Sequence, residues 1–258
     1  MTSLTAAPAL SELGQTTLRK VRRRLMPLIV LLYFVAYLDR NNVGFAKLGM
    51  QGDIGLTEAA YGLGAGIFFI GYALLEIPSN GGMYRYGARK WIARILISWG
   101  IFATAMFLVN GETSFYIVRF LLGAAEAGFF PAILFYLTLW FPAAQRVTVL
   151  GIFILAQPIS NALGAPVSGM LLGLEGVAGL HGWQWLYIIE GIPAIVLGII
   201  TPFVMTDRPE HAKWLKPEER EWLSTTMSKE LADKQKSGKH NFLAGLKDPR
   251  TLAYSALY

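Results

Sequence analysis

The sequence predicts an all-α membrane protein with six transmembrane helices. Of its 258 residues, 54% are hydrophobic and 16% are charged, whereas soluble domains carry about 25% charged residues. Apolar runs of roughly 18–26 residues recur along the chain, and each is long enough to cross a hydrocarbon core of about 30 Å as a helix. The chain also has 27 glycines and seven tryptophans, and these types favour close helix packing and membrane interfaces, respectively.

The six spans follow one another with short loops. We predict them at residues 25–46, 60–77, 91–109, 115–140, 147–172 and 183–205. The flanking segments are a basic N-terminus at 1–24, a linker at 206–250 and the start of a seventh span at 251–258. The first apolar run is too long for the core of a signal peptide and no small-residue cleavage site follows it, so we expect it to remain as a span.

Basic residues predict the orientation in the membrane. The N-terminal segment carries five, the loop after span two carries three and the loop after span four carries one, whereas the loops after spans one (counted from Leu48), three and five carry none. Because positive loops stay in the cytoplasm, we predict a cytoplasmic N-terminus. The linker holds ten of the 23 basic residues and agrees with this orientation. It is predicted to contain a surface helix that starts at Pro217, with acidic residues in its first turn.

Several classes of function are excluded or disfavoured. The chain has no cysteine, which excludes disulfides and thiolate chemistry. No nucleophile–base pair and no metal-ligand spacing occurs, and the three histidines fall in predicted loops. We therefore expect neither an enzyme nor a protein that holds a cofactor, a metal or nucleic acid.

Charged residues inside the first span are the strongest functional signal. Residues 25–38 contain no charge, and then Asp39 and Arg40 follow side by side while the helical pattern continues to Ala46. A charge at the helix centre costs roughly 2.5–3.5 kcal/mol, so it usually faces a protein interior or a water-filled cavity. The guanidinium of Arg40 suits a carboxylate, and Tyr37 lies one turn earlier on the same side. Alternatively, both charges lie near the helix end and reach the headgroups.

Span four holds a second pair of charges. Arg119 and Glu126 are seven residues apart and share a face that cannot point at lipid. One interpretation is a fixed ion pair that joins helices. The other is a carboxyl group in a low-dielectric cavity, able to take and release a proton. Asp39 is expected to neutralise Arg40 when the site is empty.

Spans two, five and six add further polar residues. Tyr72 and Glu76 are one turn apart in span two, where Glu76 lies near the basic turn and is expected to be structural. Gln157 in span five must find a hydrogen-bond partner, and a substrate hydroxyl or another helix would serve equally. Prolines in span five predict a bent helix. Glu190, near the start of span six, is expected at the membrane interface.

These segments resemble the N-terminal half of a major facilitator superfamily transporter. They are most similar to the anion:cation symporter family, which includes carriers of tartrate, galactonate and other sugar acids. The resemblance rests on YLDRNNVGFA (37–46), FFIGYALLEIPSN (68–80), RFLLGAAEAGFFP (119–131) and WLKPEEREWL (214–223). One position departs from the superfamily pattern, because Tyr84 stands where the loop between spans two and three usually has an acid. The departure is expected to weaken the charge latch between the two halves.

The resemblance implies proton-coupled symport of an organic anion, such as a sugar acid or hydroxy-carboxylate, across the inner membrane. The implied substrate-binding residues are Tyr37, Arg40, Tyr72 and Gln157. The implied proton-coupling residues are Asp39, Glu126 and Arg119. In this assignment Arg40 takes the substrate carboxylate, while Asp39 and Glu126 take the protons.

Carriers of this kind consist of two six-span halves with the substrate site between them. We therefore expect this chain to be part of a longer protein, with a C-terminal six-helix half, the lipid bilayer, protons and a small carboxylate as its partners. Two alternatives stay open. One is an efflux carrier of amphipathic compounds, because GAPVSG (164–169) is loosely similar to an antiporter motif. The other is a membrane sensor or assembly partner that does not transport.

Overall fold

A computed structural model describes residues 11–237, which form α-helices and short connections with no β-strand among them. The helices are α1 (Glu12–Ile54), α2 (Glu58–Tyr86), α3 (Ala88–Ala105), α4 (Glu112–Glu126), α5 (Phe129–Trp140), α6 (Ala143–Ile154), α7 (Ala156–Leu172), α8 (Gly182–Val204) and α9 (Pro217–Ser237). The end of the predicted linker, 238–250, and the predicted start of a seventh span, 251–258, lie outside the described residues.

Five stretches within residues 11–237 are long and apolar enough to cross a membrane. They are Glu58–Tyr86, Ala88–Leu108, Glu112–Trp140, Ala143–Leu172 and Gly182–Val204. With 43 residues, α1 is longer than any of these, but charges on both sides limit its charge-free part to residues 25–38. The five stretches correspond to predicted spans two to six, and predicted span one lies inside α1.

Two of the spans are interrupted by a local break in the helical backbone, one between α4 and α5 and the other between α6 and α7. Between α4 and α5, Gly128 has a φ of +83°, a left-handed conformation that glycine adopts without a steric penalty. Between α6 and α7 the break falls at Leu155. Pro158 follows closely and lacks the N–H that would bond the carbonyl of Ile154. The bend predicted for span five is therefore present.

The polar segments are more helical than the predicted spans indicate. The N-terminal basic segment belongs to α1, whose first turn is capped by the hydroxyl of Ser11, an acceptor for the amide of Gly14 at 3.2 Å. Likewise, α2 runs through Pro78 to its end, and a single residue, Gly87, separates it from α3. Proline is tolerated in membrane helices because neighbouring groups satisfy the backbone positions that it frees.

Glycines let two pairs of helices approach closely. A Cβ atom on Gly191 of α8 would lie 2.7 Å from the backbone nitrogen of Thr104 on α3, and one on Gly198 would crowd the same helix. In the other pair, Gly123 of α4 lies directly against the backbone carbonyl of Phe68 on α2. Such contacts between small residues are typical of membrane helix packing. They fix the helices that carry the polar residues of the interior.

The linker helix α9 packs against the N-terminal extension of α1. It begins at Pro217, as predicted, and the ring of Trp222 lies over Gly14. Lys20 Nζ pairs with Glu219 Oε1 at 2.5 Å. Burial in itself raises the pKa of Glu219, but the hydrogen bonds from Lys20 and from the backbone amide of Lys216, together with the charges of both lysines, outweigh this effect and the pKa is lowered. Glu219 therefore stays ionised at neutral pH.

Replacing Gly123 by alanine is expected to destabilise the fold, because the added methyl group collides with the α2 backbone at Phe68. We expect the free energy of unfolding to fall by roughly 1–3 kcal/mol, as at other overpacked sites. Thermal or denaturant unfolding of the purified protein in detergent measures the change. Gly62→Ala is the matched control on α2, because open space lies beside Gly62. Equal stability of the two variants would contradict the close α2–α4 contact.

Candidate functional site

A cavity of about 400 Å³ lies between α1, α2 and the junction of α4 with α5. Its lining residues are Tyr33, Ala36, Tyr37, Arg40, Phe69, Tyr72, Ala73, Glu76, Glu126, Phe129 and Phe130. The volume is in the range that small-molecule sites occupy. The lining combines aromatic surface with one cation and two carboxyl groups. Four of the seven residues predicted for the site are therefore brought together here.

The guanidinium of Arg40 sits inside an aromatic cage. Its Cζ atom lies 5.6 Å from the ring centroid of Tyr37 and 5.7 Å from those of Phe68 and Tyr72. Tyr37 is held in turn by an edge-on contact with Tyr33, one turn earlier on α1. Aromatic faces attract a cation at these distances. The cage fixes Arg40 within the cavity rather than in the headgroup region.

Arg40 forms an ion pair across helices with Glu126. Its Nη2 donates to Glu126 Oε1, while its Nε is buried and has no hydrogen-bond partner among the described residues. The carboxylate is 3% exposed at the end of α4. The expectation that Asp39 neutralises Arg40 is replaced by this pairing. Guanidinium offers five donors, so Arg40 retains capacity for a second acceptor.

Asp39 points away from the cavity, toward α3. Its Oδ2 accepts a hydrogen bond of 2.6 Å from the indole N–H of Trp99, and its Oδ1 accepts one of 3.5 Å from Asn42 Nδ2. Asp39 is 5% exposed, and Trp99 and Asn42 are fully buried. A buried carboxylate needs such donors because it has left its hydration shell. Arg40 and Asp39 thus serve two different environments on neighbouring faces of one helix.

Arg119 is held by α2 and not by a salt bridge to Glu126. Its Nε and Nη2 donate to the carbonyls of Gly64 and Ala65 at 3.3 and 3.4 Å. Its guanidinium also lies 4.7 Å from the ring centroid of Phe68. The spacing of seven residues placed Arg119 and Glu126 on one face, but the helices packed against that face supply their partners.

Gln157 does not line the cavity. It lies in the first turn of α7, one turn before Asn161 and on the same face. Asn161 Oδ1 accepts a hydrogen bond of 2.8 Å from Asn41, the residue after Arg40. The face of α7 that carries Gln157 is therefore turned toward the polar run of α1, beside the cavity.

Two acidic residues differ from their predicted settings. Glu76 lines the cavity, where the sequence suggested a purely structural role near the basic turn. Glu190, expected at the membrane interface, lies in the third turn of α8, where it is 3% exposed and accepts a hydrogen bond from Ser168 of α7. A tryptophan in the middle of a span, Trp99, was the available sign of a buried polar cluster, because a buried indole N–H usually has a partner.

The family model that describes the Major Facilitator Superfamily matches residues 29–257 of the sequence. The chain belongs to this superfamily. The match confirms the resemblance and the predicted fold class, the N-terminal half of a major facilitator fold. It also places the chain among transporters rather than enzymes.

The sequence alignments with two curated relatives cover nearly the whole chain. A protein of Agrobacterium vitis named as a tartrate transporter is 53% identical over 96% of this chain and 57% of its own length. The quinolone resistance transporter of Acinetobacter baumannii is 47% identical over the same shares. The major facilitator chain therefore spans about half the length of the curated relatives it matches.

A solved structure shares the fold. It is a bacterial homologue of the human lysosomal transporter Spinster, in an inward-facing and occupied conformation. It superimposes with a TM-score of 0.68 and 21% identity, over 73% of this chain and 45% of that chain. At this identity the likeness concerns the fold alone.

Trp99→Phe is expected to destabilise the major facilitator half, because Asp39 loses its closest donor while an aromatic ring is retained. Hydrogen bonds to charged groups contribute about 1.5–3 kcal/mol, and we expect a loss of that size in unfolding experiments in detergent. Trp185→Phe is the matched control, since the indole of Trp185 bonds an exposed carbonyl. If the two variants were equally stable, Asp39 would not depend on Trp99.

Proposed function

We propose that this chain is the substrate-binding N-terminal half of a proton-coupled symporter for a small organic anion, such as a sugar acid or hydroxy-carboxylate. The proposal depends chiefly on Arg40, which lines a cavity of about 400 Å³. Its Nε is a buried donor that has no acceptor among the described residues. The relative named as a tartrate transporter supports the same class of substrate. Tartrate is a hydroxy-carboxylate, so it serves as the first test compound.

The ion pair of Arg40 with Glu126 supports coupling between substrate and proton. We propose that a substrate carboxylate binds Arg40 through the unpartnered Nε together with Nη2, and at Nη2 it competes with Glu126. Glu126 is 3% exposed, and removing one partner of a buried ion pair costs about 3–5 kcal/mol when the other charge stays. Protonation of Glu126 removes that cost. Substrate and proton binding therefore favour each other, by equal amounts in both directions.

Asp39 is the second proton-binding group in this proposal. It is buried against α3 and lies one residue from Arg40 on α1. Arg119 is a fixed positive charge at the α2–α4 contact, and we propose that it couples to Glu126 through its electric field.

The hydroxyl groups of the substrate are assigned to the rim of the cavity. Tyr37 and Tyr72 lie beside Arg40 and carry phenolic donors. Gln157 is assigned to the same substrate from α7, where its face is turned toward α1. The remaining contacts come from the C-terminal half, which closes over the cavity when the halves rock. We place the carrier in the inner membrane with its N-terminus in the cytoplasm, as the basic residues predict.

Efflux of amphipathic compounds is the second candidate, and the quinolone resistance transporter at 47% identity favours it. Aromatic side chains of the cavity, among them Phe69 and Phe130, would accommodate such compounds. Growth of cells that express the complete carrier separates the two proposals. Resistance without uptake of hydroxy-carboxylates supports efflux, whereas binding without movement in sealed vesicles supports a sensor.

Arg40→Ala in the complete carrier is expected to abolish uptake of tartrate. Truncating one partner of a buried charge pair costs about 2–5 kcal/mol, and every 1.4 kcal/mol is about tenfold in affinity. Arg40→Lys is expected to restore little, because an ammonium cannot present a planar fork of donors. Uptake of labelled substrate into vesicles measures the loss. Arg23→Ala, an exposed arginine on the α1 extension, is the control, and near-normal uptake by Arg40→Ala would refute the assignment.

Glu126→Gln is expected to separate exchange from accumulation. The amide mimics the protonated acid, so substrate binding and counterflow remain while a proton gradient no longer drives uptake. Counterflow and gradient-driven uptake, measured on the same vesicles, give the ratio that decides. Glu112→Gln, at an exposed carboxylate in the first turn of α4, is the control. Gradient-driven accumulation by Glu126→Gln at the wild-type level would exclude Glu126 as a coupling residue.

A further inference from the structure

A second buried carboxyl group lies outside the cavity, on α8. Glu190 is 3% exposed, and its Oε1 accepts a hydrogen bond of 3.0 Å from Ser168 on α7. Its other oxygen, Oε2, is buried and has no partner among the described residues. No basic side chain in the described part of the chain forms a salt bridge with it. An ionised carboxylate with one donor and no counter-ion is costly to bury.

Asn42 connects this group to Asp39. The amide of Asn42 is fully buried on α1, with its Nδ2 directed at Asp39 Oδ1 and its side chain next to Glu190. The amide oxygen, Oδ1, is a second buried acceptor that has no donor among the described residues. A single proton on Glu190 Oε2 that is shared with Asn42 Oδ1 would satisfy both acceptors. A protonated carboxyl group supplies that donor.

We propose that Glu190 is a further proton-binding site of this half, coupled to Asp39 through the amide of Asn42. In the arrangement seen here, Glu190 holds a proton and donates it in a hydrogen bond to Asn42 Oδ1, while Asn42 Nδ2 donates to ionised Asp39. When Asp39 is protonated, a turn of the amide exchanges the roles and Glu190 is the ionised member. The two acids then titrate as a pair and not as independent groups.

The surroundings of Glu190 contain few other charges. From α1 it faces Asp39 and Asn42, from α7 Ser168, and on α8 Tyr187 lies one turn earlier. The part of α3 that lies nearest to Glu190 is at Thr104, which packs against Gly191. The charged residues of α3 are Arg89, Lys90 and Arg94. Because α3 rises about 1.5 Å per residue, even Arg94 is roughly 15 Å along the helix from Thr104, so Asp39 is the acid that sets the charge state of Glu190.

The inference rests on the proposed function in one respect: a titrating Glu190 adds to the protons that accompany each substrate. The proton-binding step itself does not depend on transport. It is the uptake of one proton by Glu190 Oε2, and its loss, as the charge of Asp39 changes. Two measurements therefore judge the site and the symport separately.

The first measurement is an infrared pH titration of the complete carrier in detergent, which follows the carbonyl band of protonated carboxylic acids. We expect Glu190→Gln to remove one titrating carboxyl group between about pH 5 and 9. The control is Glu175→Gln in the loop before α8, where hydrogen bonds from the Gly182 amide and His181 lower the pKa of Glu175, so this variant leaves the titration in that range unchanged. Ser168→Ala removes one donor to ionised Glu190, so the remaining band is expected to persist to higher pH. An unchanged titration in Glu190→Gln, or no shift in Ser168→Ala, overturns the proposal.

The second measurement is the number of protons taken up per substrate in vesicles. Glu190→Gln is expected to keep counterflow and to lower this number by one, whereas a permanently neutral structural acid would leave it unchanged. If the wild-type carrier moves substrate without protons, the proposed symport fails. The infrared titration then still decides whether Glu190 binds a proton. Thus the failure of one proposal is not mistaken for the failure of the other.

Discussion

The cost of placing charge in a low-dielectric interior governs the arrangement of this protein. The charge of Arg40 is tolerated in the interior because three aromatic rings surround it and Glu126 neutralises it. The carboxylate of Asp39 is tolerated because the indole of Trp99 and the amide of Asn42 donate hydrogen bonds to it. Each buried charge therefore depends on groups from other helices. We propose that when another carboxylate takes a partner away, a proton offsets the cost.

The helix packing makes this offset specific. Glycines bring α2 against α4 and α8 against α3 at backbone contact, so the buried groups cannot simply move apart when their charge changes. The break at Gly128 lies directly after Glu126, the last residue of α4, and both α4 and α5 contribute to the cavity at this junction. In the proposed mechanism, this rigid packing is what links the protonation of a buried acid to substrate binding.

The sequence predicted much of this from one rule, that charge inside a span is costly. That rule identified Asp39, Arg40 and Glu126, and the length of the apolar runs predicted the spans. It did not predict the partners, because spacing along a helix determines a face but not which helix covers it. Arg119 shares a face with Glu126 yet bonds to α2 carbonyls. For the same reason Glu76 and Glu190, both near span ends, required the packing of α1, α2 and α7 to be assigned.

We propose that a substrate carboxylate and Glu126 compete for Arg40 Nη2, so that substrate binding draws in a proton. Isothermal titration of tartrate into the complete carrier, repeated in buffers of different ionisation enthalpy, measures this directly. We expect an uptake of roughly one proton per substrate bound, because substrate binding at Arg40 and protonation of Glu126 are linked equilibria. Tight binding with the same heat in every buffer would mean that no proton is taken up, and would contradict this proposal.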